Sequence, residues 1–189
     1  MGALGDRLAR AAAGETVAVW DPWVRVLHWT LAASILVAWL THEGAGTLHE
    51  VAGYTALAAV AIRVVLGLVS RSEHTRFSSF MRPVSATWAY ACDVVGRREA
   101  RFIGHNPLGG WMIVALLLTV AVSASSGWLY TTDRFWGVAW VGDLHAYSSD
   151  LLPWLIALHL AGVAFTSWRH RENLVGAMVF GRKRTEDEG

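Results

Sequence analysis

The sequence predicts an all-α integral membrane protein, a four-helix bundle with both termini on the cytoplasmic side. Three observations carry that prediction. Of the 189 residues, 54% are hydrophobic and only 16% charged, a balance suited to a chain that spends much of its length in lipid. Four apolar runs approach the ~20 residues that a bilayer's hydrocarbon thickness demands of a helix. Lys and Arg are also segregated: three (Arg7, Arg10 and Arg25) stand in the N-terminal segment or the first turns of the first span, six between 71 and 106 and five at the C-terminal end. Only Arg134 stands in the opposite connections, and Arg63 lies inside the second run. The positive-inside rule therefore assigns both termini to the cytoplasm. The net charge of +1 carries no such information. One cysteine, Cys92, excludes an internal disulfide and any cysteine-held cluster. Nothing in the pattern calls for nucleic acid.

In chain order, residues 1–19 lack the apolar core of a cleavable signal peptide and read as a short cytoplasmic segment with Arg7 and Arg10. The membrane domain is expected over 20–170. Its first span runs from about Val24 to Thr41, with Pro22 in the first turn and Trp20, Trp23 and Trp29 at the interface. HEGAGT leads to a second span, Leu48 to Ser70. The basic connection 71–106 holds a short amphipathic surface helix over Pro83 to Val95. The third span runs from Leu108 to Tyr130, where Asn106 and Pro107 read as N-cap and first helical residue. The fourth runs from Gly142 to Trp168. Residues 171–189 form a cytoplasmic tail that closes on GRKRTEDEG, disordered at its end.

The chemistry lies in the histidines. His145 and His159 stand on the fourth span; their separation advances about 21 Å and completes almost four turns, so both leave one face. Polar groups at membrane depth are costly and face the protein interior. The orientation puts His28 and His159 near the cytoplasmic level and His49 and His145 near the outer level, giving two pairs at two depths. Two histidines per site, without a carboxylate or thiolate, do not make a structural zinc site, which needs four ligands. One imidazole above and one below the ring are what bis-histidine haem ligation needs. Without a CxxCH motif the haems would be non-covalent, b-type. Ala52, Gly53 and Ala56 leave room for a porphyrin beside His49. Arg63 points the same way as His49 at the other depth, where a haem propionate would answer its charge.

His42 is a rival for the outer level, being one histidine repeat from His28 on the same face. It follows the apolar run and precedes Glu43 and Gly44, where the helix should fray, so packing prefers His49. His74, His105 and His170 read as surface residues, with a quinone headgroup at His105 or Asn106 as the alternative. Cys92 reads as inert. Pro153 is expected to kink the fourth span, with Ser148 and Ser149 satisfying the freed carbonyl.

The chain resembles the bacterial cytochrome b561 and nickel-hydrogenase b-type cytochrome family over nearly its whole length. The stretches that carry the resemblance are VWDPWVRVLHW, LHEVAGY, RFSSF, GHNPLGGW, LHAYSSDLLPWLIALHLAG and HRENLVGAMVFGRKR. It implies a four-helix cytochrome of the bacterial inner membrane with two haems b, ligated at His28, His49, His145 and His159. His42 falls where the family motif calls for no histidine. Members of such a family pass electrons between membrane quinone and a partner redox protein: a hydrogenase, another dehydrogenase or a c-type cytochrome. The resemblance thus implies a quinone-linked electron-transfer subunit of oxidoreductase type. Some members oxidise superoxide, so a superoxide:quinone oxidoreductase remains an alternative, as does a non-redox metal-binding membrane subunit. A homodimer is left open. The short tail and short outer loops look most like the compact group that works with c-type cytochromes.

The outer connections carry Glu43, Glu50, Asp133, Asp143 and Asp150 against Arg134. This is either ordinary solvated charge or a docking face for a basic partner such as a periplasmic c-type cytochrome. The same sign would repel superoxide. Trp136 and Trp140 anchor this loop at the interface or lie against the outer haem.

Overall fold

The computed structural model describes residues 16–44, 46–70, 72, 75–102 and 104–184. The expectations placed on Arg7, Arg10, Arg71, His74 and the acidic end of the tail lie outside the described residues. Four helices are long and apolar enough to cross a membrane: α1 (Pro22–Leu40), α2 (Thr47–Val69), α5 (Pro107–Tyr130) and α6 (Ala139–Arg169). Between α2 and α5 lie a single turn, α3 (Phe77–Phe80), and the surface helix α4 (Val84–Val95). A short α7 (Leu174–Phe180) follows α6.

Local chemistry sets the starts of these helices. The Asp21 side chain accepts from Trp23 N at 2.8 Å with Pro22 in the first turn, and Asn106 accepts from Gly109 N at 2.7 Å ahead of Pro107. Each cap satisfies an amide that the helix cannot. Asn173 does the same for α7 through Gly176 N, and Gly181 ends α7 at φ 81°, a left-handed conformation that glycine adopts freely. The fourth span begins at Ala139, earlier than the apolar run alone indicates, and α6 continues as helix through Pro153. Ser148 and Ser149 do not serve the carbonyl that Pro153 frees. Ser148 bonds Leu144 O at 2.6 Å, and Ser149 bonds the Ser123 hydroxyl at 2.7 Å.

The closest helix pairings are α5 with α6 and α1 with α2, joined by α2 with α5; α1 and α2 make no comparable backbone approach to α6. Small residues buried on α2, Ala52, Ala56 and Ala59, allow close helix packing there. A core of Ala56, Val60, Val120 and Leu152, joined by Leu31, Ile35, Leu117, Ala121 and Ile156, draws on all four spans at mid-depth. Only 6% of the most apolar window of α6 is buried within the chain, against 33% for α2, so most of α6 faces lipid or the gap toward α1 and α2.

The N-terminal and C-terminal ends meet on one side of the bundle. Thr16–Ala18 (β1) pairs antiparallel with Arg182–Arg184 (β2), Val17 opposite Lys183. The basic part of the tail is thus a strand rather than a free end. Glu172 lies 3.4 Å from Arg101 and 3.6 Å from Lys183, whose ammonium also sits 5.8 Å over the Trp20 ring. Burial pushes the Lys183 ammonium down and Glu172 opposes the shift. Arg169 donates to Glu99 at 2.6 Å and to Arg97 O at 3.2 Å, tying α6 to the connection before α5. Phe77 and Phe80 tuck this connection into the bundle: an added Cβ at Gly67 would collide with the Phe77 ring, and one at Gly110 would lie 2.9 Å from Phe80 O.

Candidate functional site

At the end of the bundle away from the paired strands, His49 on α2 faces His145 on α6. Their ring centroids are 6.1 Å apart and their planes nearly perpendicular, at 86°. His49 Nδ1 bonds Ala38 O at 3.0 Å, and His145 Nδ1 bonds Ser123 O at 2.8 Å. A carbonyl only accepts, so both Nδ1 atoms carry the proton and each Nε2 keeps its lone pair for a metal. Two metal–nitrogen bonds of about 2 Å and the half-width of each ring span roughly 6 Å, so the separation suits one metal atom between the rings. His42 lies elsewhere: it sits in the exposed turn after α1, its Nδ1 on Trp39 O at 2.5 Å.

The His145 ring is admitted by Gly127 on α5, where an added Cβ would lie 2.9 Å from ring atoms Cε1 and Nδ1. The sequence reading missed Gly127 and its neighbours Ser123 and Ser126. The signal was present as a run of small residues, SASSG, inside an otherwise bulky span, but nothing local shows which helix such a run receives.

At the other level His28 on α1 and His159 on α6 are half-buried. His28 Nδ1 is buried without a hydrogen-bond partner among the described residues. So is Nη1 of Arg63, a residue only 5% exposed. The guanidinium lies 4.8 Å over the Phe77 ring, which shields it without neutralising it. A buried cation and a buried imidazole with unused hydrogen-bonding capacity match a cofactor that bears carboxylates. Ala52 and Ala56 are buried, whereas an added Cβ at Gly53 would meet nothing within 4 Å, so open space adjoins the His49 helix.

His105 is not a bare surface residue. Its ring lies 4.5 Å from Trp20 and 4.8 Å from Phe80, stitching the N-terminal segment to α3 beneath the bundle. His170 closes α6 as its C-cap, with its backbone N–H on Thr166 O. Cys92 is exposed. Among the described residues no three His, Cys, Asp or Glu side chains converge on one point.

Four helices long and apolar enough to cross a membrane, with His49 and His145 facing each other between two of them, fit the membrane cytochromes of the b class. The family described as prokaryotic cytochrome b561 matches residues 19–181, and the chain belongs to that family. It is a multi-pass membrane haem protein of electron transport. No curated protein and no solved structure matches the chain.

Proposed function

We propose that the protein carries two haems b, each held by two histidines, and conducts electrons between the quinone pool of the bacterial inner membrane and a redox partner at its periplasmic face. His49 and His145 would ligate the outer haem, His28 and His159 the inner one, and Arg63 would meet a propionate of the inner haem. The observation that carries this reading is the outer pair, with its 6.1 Å separation, its crossed planes and both Nδ1 atoms turned outward onto carbonyls. A bound haem supplies a one-electron couple whose potential answers to axial ligands, hydrogen bonding and burial.

This chain's residues do the rest. Ala38 O and Ser123 O hold each outer imidazole in one tautomer and rotamer, which limits rearrangement as charge changes. The apolar layer from Leu31 to Ile156 keeps water out between the two levels. Arg63 places a positive charge at the inner level, which favours added electrons there. The basic connections support a cytoplasmic location for the paired strands. Outside, Glu43, Glu50, Asp133, Asp143 and Asp150 are exposed, a surface that suits a basic c-type cytochrome better than an anion such as superoxide. A dehydrogenase or hydrogenase subunit is the other class of partner the family admits.

Purified protein tests the reading by its reduced-minus-oxidised spectrum and pyridine haemochrome, with about two b haems per chain expected from two bis-histidine sites. His49→Ala should leave one haem and His42→Ala both. Two haems in His49→Ala but one in His42→Ala would reassign the outer ligand, and a colourless wild type would end the proposal.

A further inference from the structure

Among the described residues the Ser123 carbonyl is the hydrogen-bond partner of the His145 ring, and it is shared. His145 Nδ1 donates to it at 2.8 Å from α6, and the single Ser126 hydroxyl proton, on α5, is divided between Val122 O at 2.7 Å and this carbonyl at 3.0 Å. Ser126 is 2% exposed, so no water competes for its proton. Next to it Gly127 leaves the space that the ring occupies. A carbonyl that already accepts one proton donor is a weaker acceptor for another, so the Ser126 hydroxyl limits how far Ser123 O can polarise the Nδ1–H bond. Polarising that bond pushes an imidazole toward imidazolate and raises its strength as a ligand through Nε2.

We propose that Ser126 and Gly127 are positioning residues that set the donor strength of His145, Ser126 by sharing the Ser123 carbonyl and Gly127 by admitting the ring to it. The proposal rests on the reading of His145 as a haem ligand. Removing the Ser126 hydroxyl frees the carbonyl, strengthens the His145 hydrogen bond and stabilises the oxidised haem, so the outer potential falls. Adding a methyl at Gly127 forces the ring away from the carbonyl, weakens the same bond and raises the outer potential. The two neighbouring substitutions thus act with opposite signs, which general damage to packing would not produce.

The test is a spectroelectrochemical titration of the full-length, haem-loaded protein in lipid nanodiscs. Ser126→Ala should shift one of the two haem transitions about threefold toward oxidation, close to 30 mV negative at 59 mV per tenfold for one electron, and leave the other in place. Ser126→Thr keeps the hydroxyl and should titrate as wild type. Gly127→Ala should move the same transition positive. Where Ser126→Ala fails to fold, Ser126→Cys, a weaker donor, should shift that transition negative by less. Unmoved or positive potentials in Ser126→Ala, or a Thr variant shifted as far as Ala, would overturn the role of Ser126; an unmoved Gly127→Ala would overturn that of Gly127. His145→Ala separates the two levels of failure. Two haems with wild-type potentials in that variant would remove the ligand reading itself, whereas one lost haem beside an unmoved Ser126→Ala would remove the tuning alone.

Discussion

Arg63 concentrates the energetics of the inner level in one side chain. It is buried among apolar neighbours, stacked on Phe77, and its Nη1 has no acceptor among the described residues. An unpaired buried cation destabilises a protein, whereas the same cation hydrogen-bonded to a carboxylate contributes about 1.5–3 kcal/mol. Arg63→Gln should therefore change sign with loading. In haem-free protein the substitution should raise the thermal midpoint, and in loaded protein it should lower it and speed the loss of one haem roughly tenfold or more. Paired melting curves with and without haem check this. A fall in both states would mean that Arg63 is held by the protein alone.

At the scale of elements, connections on one side tie the bundle where the spans stand apart. α6 touches α5 closely but stands off α1 and α2, so its inner end is held by Arg169 against Glu99 and Arg97 O and by the strand pair beyond α7. The hydrogen bond from Arg169 holds the Glu99 carboxyl below its ordinary value. A carboxylate so depressed stabilises the folded tie above its unfolded pKa, and that contribution is lost as pH falls through the folded value. Hydrogen exchange in the segment 96–102 should thus rise as the pH is lowered below about 4.5, after correction for the intrinsic rate, and Glu99→Gln should exchange fast at every pH without that rise. An acid response retained in Glu99→Gln would assign it to another group.

The whole molecule is polarised along the membrane normal. Its basic connections, strand pair and surface helix lie on one side, and an exposed acidic rim with only Arg134 among it lies on the other. The consequence belongs to association rather than to stability, because exposed charges steer encounter and are screened by salt. Electron exchange between the outer face and a basic c-type cytochrome should slow about tenfold between low and near-physiological ionic strength. The double substitution Asp133→Asn with Asp143→Asn should flatten that dependence in stopped-flow measurements. A rate indifferent to salt would point to a partner that docks through apolar contacts, for which Trp136 and Tyr147 are the exposed candidates.

By itself the sequence determined the number of spans and their order, because a bilayer demands long apolar helices, and it made each intramembrane histidine and arginine conspicuous. Residue number along each span also leads to the proposal of His28 level with His159, and it anticipates the approach of His49 to His145, since depth along a helix is a linear function of residue number. Tertiary structure decided what lies across a gap. It turned His42 onto its own helix end and His49 toward His145, it drew Ser123, Ser126 and Gly127 of α5 around the His145 ring, and it paired two chain ends that read as loose segments. Each of these joins residues far apart in sequence, so none leaves a local pattern. The two histidines on α6 were visible from the chain alone, whereas the polar and glycine contacts that aim one of them came only from packing α6 against α5.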